Sequence, residues 1–537
     1  MQAFLSIYSL IEWMLRCLSV AAQTFAVGGV TYYAFTLSPL KSEMKIETAE
    51  LDRFCLRVLF WSASVLCVSQ VLTSAALITF LVGSTGADLA TAASADAVAF
   101  DLISAVAAFA LAWAVRKPYF SAAAPPLLLS AVLVGAHGGL THAASRAPPS
   151  VSLLAAEILH LVALAVWIGG APYFVASLRM IGDRAERRFI ARRFSFTSLA
   201  SVAVLVSTGV LMAAPYTESL EGLYQTNYGL LLGTKVVLLF VMLCMGAANF
   251  LAIRGSRRDE TASLGNVPVF AETETGIGLV AILCACALAL SPLGANVKAS
   301  RPDTAEISKH FELAWPRLAT PAFAQLSAAK VGAAAAVQPL EPTQRNDADI
   351  AWSEVHHHYA GLAVMLMGVL ALVAWSRRGP PVARHWPLLF FGFAIFLAIM
   401  SDEEVWPLGH MGFFESLATP QIAQHKLMIA LFGIFAIFEW RVQLKKFSSA
   451  WPAYVFPLTV GAAAALLLTH YGHTDSKDEV LIEMSHAPVA LLGVIAASAR
   501  WLELRLPQPA ASRFAGIVWP IAFTVAGALL LLYRETA

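Results

Sequence analysis

Residues 151–178 read VSLLAAEILHLVALAVWIGGAPYFVASL. In this run Glu157 is the only formal charge and His160 the only imidazole. As a helix rising about 1.5 Å per residue it is longer than a hydrocarbon core about 30 Å thick. In lipid each backbone N–H and C=O must be bonded within the chain's own segment, so a lone apolar run of this length crosses as a helix. Outward from it, similar runs recur near 10–36, 54–83, 96–115, 122–142, 194–215, 228–252 and 273–293. After a long polar stretch come 352–376, 386–400, 420–440, 452–470, 484–503 and 514–533. The pattern predicts an all-α polytopic membrane protein of about fourteen transmembrane helices in two bundles, eight plus six. The 386–400 run is short, so it tilts little or is partly re-entrant.

Composition agrees. Hydrophobic residues make up 58% of the 537 and charged residues 13%, about half the ~25% of a soluble domain. That excludes a water-soluble enzyme with one core, a disordered chain and a nucleic-acid binder. The net charge of +1 implies no strongly charged partner. Six cysteines, Cys17, Cys55, Cys67, Cys244, Cys284 and Cys286, form no C-x-x-C and lie in or beside apolar runs, so no disulfide framework or zinc site is expected. Cys284 and Cys286, two apart, face different sides of a helix, which argues against a shared metal.

Lys and Arg cluster in every second connection: at 41–57, 116–117, 179–193, 254–258, 377–384, 441–446 and 500–513. Loops 84–95, 216–227 and 401–419 have none. By the positive-inside rule this places both termini outside, in the periplasm of a bacterial inner membrane, with fourteen crossings. The first basic residue is Arg16, already within an apolar run, so a cleaved signal peptide is not expected. Residues 295–351, rich in Ala, Pro and Thr, read as an outer linker between a first module, 1–294, and a second, 352–537. Ala322-Phe-Ala-Gln325 looks like a signal-peptidase site, but no adequate apolar segment precedes it.

In the first module Glu157-Ile-Leu-His160 is followed by Trp167-Ile-Gly-Gly-Ala-Pro172, Arg192-Arg-Phe-Ser195 and Ser207-Thr-Gly209. Asn227-Tyr-Gly229 then opens the span carrying Lys235, and Asn249 closes it. This ordered set resembles the copper resistance D family of bacterial inner-membrane proteins over about 1–294, most clearly over about 130–294. The resemblance implies an eight-helix membrane domain in copper handling, usually uptake. Glu157 and His160, three apart, share a helix face, and His137 and His142 sit at the same expected depth. Imidazole suits copper, and a carboxylate ligates or orients a ligating His. Lys235, a charge inside a span, is a functional candidate by default. The plain alternatives are hydrogen-bonded interface histidines and a snorkelling lysine. Trp167-Ile-Gly-Gly reads as close helix packing.

The second module holds nine of the 13 histidines: His356, His357, His358, His385, His410, His425, His470, His473 and His486. All but His385 are expected at the outer side, on the ends of four spans or in the connections beside them. His470 and His473 share a face, as do Glu483 and His486. Asp402, Glu403, Glu404 and Met411 stand in an outer connection. Histidines converging from several helices are the pattern of a bundle-core metal or cofactor site. The expected first shell is His425, His470 and His486 with one of His356–His358 and His473 beside it.

Copper bound at the outer face and moved across, or handed on at, the inner membrane is therefore the leading expectation. Its partners are the copper ion, the bilayer and a periplasmic carrier or larger membrane complex. The alternatives are an electron-transfer subunit with one haem b in the second module, and an accessory subunit of a larger complex. No nucleotide, phosphorylation or metalloprotease motif is present, so no enzyme is expected.

Overall fold

The computed structural model describes residues 2–44, 48–116, 124–144, 150–255, 264–297, 301–312, 315–326, 347–376, 379–469 and 477–535. These are helical with short connections. The β-pairing among them is one isolated bridge, Val405 to Met411.

Among the described residues twelve helices are long and apolar enough to cross a membrane, and two more, Ala124–Gly138 and Trp451–Leu467, are apolar but shorter. The chain is thus an all-α, multi-pass membrane protein. Pro387–Met400 gains length from a preceding 3-10 turn, Pro381–His385, and counts among the twelve as Pro381–Met400.

The first compact unit comprises Met1–Ser219 and Lys235–Leu290. Its helices are α1 (Gln2–Tyr32), α2 (Ala49–Thr85), α3 (Asp96–Val115), α4 (Ala124–Gly138), α5 (Val151–Leu164), α6 (Arg184–Thr217), most of α7 (Asn227–Gly255) and α8 (Val267–Leu290). A π-helical turn, Ala165–Gly169, carries α5 on into Ala171–Met180. Gly169 lies in that turn against the α1 backbone at Thr24 and Gly28, where a Cβ would collide with main-chain atoms. The glycine pair therefore serves close helix packing. α8 begins at Val267, earlier than hydropathy places it, so Glu274 lies two turns inside the helix.

The second unit comprises Leu220–Thr234 and Ser291–Ala537. Its helices are α9 (Asp347–Trp375), α10 (Pro387–Met400), α11 (Pro420–Gln443), α12 (Val455–Leu467), α13 (Lys477–Arg505) and α14 (Pro509–Leu531). Trp386, Phe390, Phe435, Phe456, Trp519 and Phe523 form its aromatic core. Gly361 and Gly527 bring α9 and α14 to backbone contact.

Part of the stretch read as linker is folded onto this unit. α9 already starts at Asp347. Residues Thr304–His310 form a helix closed by an Asp303–Glu306 capping box. Beyond it, Arg317 pairs with Glu354 at 2.9 Å and Tyr359 donates to the Leu318 carbonyl at 2.9 Å. An Ala- and Pro-rich composition did not reveal these anchors, because they depend on partners far away in sequence.

Candidate functional site

The second unit encloses a cavity of about 530 Å³. α9 contributes His356 and His357, α11 contributes His425, and α13 contributes His486. Asp349, Asp402, Glu403 and Glu404 join them at the polar end. The remainder is apolar, with Phe390, Phe393, Phe432 and Phe523 in the wall.

The four imidazoles are held alike. His357 Nδ1 donates to the Ser353 carbonyl at 2.9 Å and His486 Nδ1 to the Ile482 carbonyl at 2.8 Å. His356 bonds the Trp352 carbonyl while its Nε2 stays buried without a protein partner, so the donor is Nδ1. His425 Nδ1 meets Asp402 Oδ1 at 2.7 Å. Carbonyl and carboxylate oxygens only accept, so each Nδ1 carries a proton, and in the neutral ring Nε2 is then the nitrogen with the lone pair. Donation of the second ring N–H to a carbonyl or carboxylate is the support that metal-ligating histidines ordinarily have. The His357 and His486 ring centroids are 5.5 Å apart. Burial, with Asp402 beside it, pushes the Glu404 carboxyl above the usual range.

Other expected residues fall elsewhere. His358 Nδ1 accepts the Arg317 backbone N–H at 2.8 Å and Nε2 donates to the Tyr533 carbonyl at 2.8 Å. Both nitrogens are used, and the ring ties chain segments together. Glu483 is buried but does not line the cavity with His486, and one of its oxygens has no hydrogen-bond partner. Met411 is paired through its backbone with Glu404 and Trp406. His385 accepts from Trp440 Nε1 at 3.0 Å. His470 and His473 lie outside the described residues.

In the first unit Tyr216 connects two candidates. Its hydroxyl donates to Glu157 at 3.2 Å, and its ring lies edge-on to His142 with centroids 6.2 Å apart. His142 also bonds the Leu288 carbonyl, and its Nε2 is buried without a partner. His160 Nδ1 sits 3.0 Å from the Thr208 hydroxyl, which itself donates to backbone carbonyls at 204 and 205. Thr208 and Tyr216 are two turns apart on α6, roughly 12 Å along the axis, so the contacts of His160 and Glu157 are at different depths. Lys235 lies within electrostatic range of both Glu157 and His160, and His137 lies near Arg16. Among the described residues no three His, Cys, Asp or Glu side chains are placed to hold one metal ion together.

Sequence reading missed a buried carboxylate. Glu274 accepts from Asn249 Nδ2 at 2.8 Å and from Trp167 Nε1 at 3.2 Å, so Trp167 has a polar role besides packing. The signal was there in Glu274 itself, once α8 is started at Val267. It also read Arg500 as a topology determinant. Arg500 is buried between Glu439 at 3.0 Å and Glu503 at 2.7 Å.

Residues 188–288 match the family model described as Copper resistance protein D. The matched segment covers α6, α7 and most of α8, a narrower range than the motif resemblance. Over 151 residues the chain is 32% identical to the Copper transport protein CutJ of Bacillus subtilis (strain 168). That similarity covers 27% of this chain and 28% of the relative, so less than a third of either length is compared. No solved structure matches the chain.

Proposed function

Taking residues 188–288 as a copper resistance protein D region of a multi-pass membrane protein, we propose that the chain binds copper and moves it across the membrane or hands it on. The observation that carries this reading is the cavity of the second unit, where four imidazoles from three helices line one space. Imidazole nitrogen suits copper. The apolar walls lower the local dielectric, which strengthens each contact with the ion. The rings are not drawn together at ligand distance, so a bound ion must draw them in. Such a site favours transfer over permanent storage. The similarity to a protein named for copper transport supports copper over haem, for which no observation speaks.

The alternating basic loops support an inner membrane with both termini and the cavity mouth on the periplasmic side. In the first unit the candidate residues are His137, His142, Glu157 and His160, of which Tyr216 links Glu157 and His142 while His160 stands two turns away at Thr208.

The test is copper stoichiometry, with an optical spectrum, on the purified full-length protein. His425→Ala and His486→Ala should each lower bound copper, and His385→Ala should not. Equal copper in all three, or a reducible Soret band in the wild type, would overturn the reading. Orientation is read by Trp315→Cys, since Trp315 is 94% exposed. A membrane-impermeant maleimide should label it in intact spheroplasts; labelling only after disruption reverses the topology.

A further inference from the structure

Cys17 of α1 and Cys286 of α8 are 269 positions apart, yet the packing of α1 against α8 brings their thiols within interaction range of each other across the helix seam. Both are unoxidised and buried, 5% and 3% exposed. One turn away on each helix, Trp13 Nε1 donates to the Leu283 carbonyl at 3.4 Å across the same seam. Arg16 lies within electrostatic range of Cys17, His137 and His142. His142 bonds the α8 backbone at Leu288, only two residues beyond Cys286, and leaves its Nε2 buried and unpartnered.

From this juxtaposition we propose that Cys17 and Cys286 form a buried two-thiolate site for Cu(I), with His142 as the imidazole that passes the ion to it. Soft thiolates select Cu(I), whereas imidazole accepts either oxidation state. Two facing thiols suffice, because Cu(I) accepts a two-coordinate site. On binding, each S–H bond breaks and two Cu–S bonds form, and two protons leave. The resulting complex carries one net negative charge, and Arg16, which also pairs with Glu12 at 3.6 Å, lies within electrostatic range of Cys17 to offset part of it. No electron is transferred, because copper arrives already as Cu(I). The proposal rests on the copper reading but involves the other unit of the chain, so the two can fail separately.

The experiment titrates full-length, detergent-solubilised protein with Cu(I) under anaerobic reducing conditions, against a chromophoric Cu(I) chelator. X-ray absorption reports the ligand atoms. Wild type should show sulfur-ligated Cu(I). Cys17→Ser and Cys286→Ser should each lose that one equivalent or weaken it at least 100-fold, while Cys284→Ser, on the other face of α8, retains it. Cys286→Met keeps a soft donor and should restore part of the affinity. A His425→Ala/His486→Ala double variant should keep the sulfur-ligated ion while losing the cavity copper. Wild type without sulfur ligation, or Cys17→Ser and Cys286→Ser binding within twofold of Cys284→Ser, overturns the proposal. So does a Cys17–Cys286 disulfide that persists under the reductant.

Discussion

His425 on α11 donates a hydrogen bond from Nδ1 to Asp402 Oδ1, in the loop after α10, across 2.7 Å. Both side chains are largely buried, 26% and 13% exposed. The carboxylate holds the ring in one orientation through Nδ1, although by itself it binds no copper in the proposed scheme.

Asp402→Ala should therefore weaken copper binding about 10–100-fold, the usual cost of losing an orienting partner, without removing a ligand. The measurement is copper affinity by competition. Affinity within twofold of wild type would show that His425 does not rely on Asp402.

His358 should behave in the opposite way from its neighbours. His358→Ala leaves the Arg317 N–H and the Tyr533 carbonyl without their partner, at about 1–3 kcal/mol for each buried group. Thermal unfolding in detergent should come at lower temperature while copper stoichiometry is unchanged. Lost copper at unchanged stability would move His358 into the binding site.

Arg500 is flanked by two carboxylates inside the helix bundle, with Glu439 only 1% exposed. Arg500→Met should destabilise by about 3–5 kcal/mol, because it strands a buried charge. Adding Glu439→Leu should recover much of that loss. A double variant as unstable as the sum of the two singles would show that the pair does not act as one unit.

Burial pushes the His310 imidazole down to about 4, and its Nε2 lies 2.7 Å from the Ser485 hydroxyl. The undocked segment protonates near 6.5, so below that pH the undocked form binds the extra proton. Docking of residues 303–312 should therefore be fully stable above about pH 6.5 and weaken as pH falls toward 4. Limited proteolysis against pH reads this, and His310→Gln should flatten the dependence. A proteolysis profile with the same slope in the variant assigns the effect to another group.

The sequence by itself determined the all-α membrane class, because a lipid core admits only apolar segments whose backbone is bonded internally. The density of histidines in the second module is equally plain in the sequence, and the spans alone single out His425, His486 and one of His356–His358. Helical periodicity states a residue's direction on its own helix and does not say what stands opposite. Thus His357 and His358 are neighbours, yet only one reaches the cavity, and the other is taken up by the Arg317 and Tyr533 backbones. Glu483 and His486 share a face by spacing, and only His486 lines the cavity. Arg500 looked like a topology signal until Glu439 and Glu503 were found on either side of it. Cys17 and Cys286 looked like isolated apolar cysteines until α1 and α8 were packed together. Apart from the Arg500–Glu503 pair, three apart on one helix, the deciding contacts join segments far apart in sequence, so they depend on packing, a property of the folded bundle that local composition does not contain.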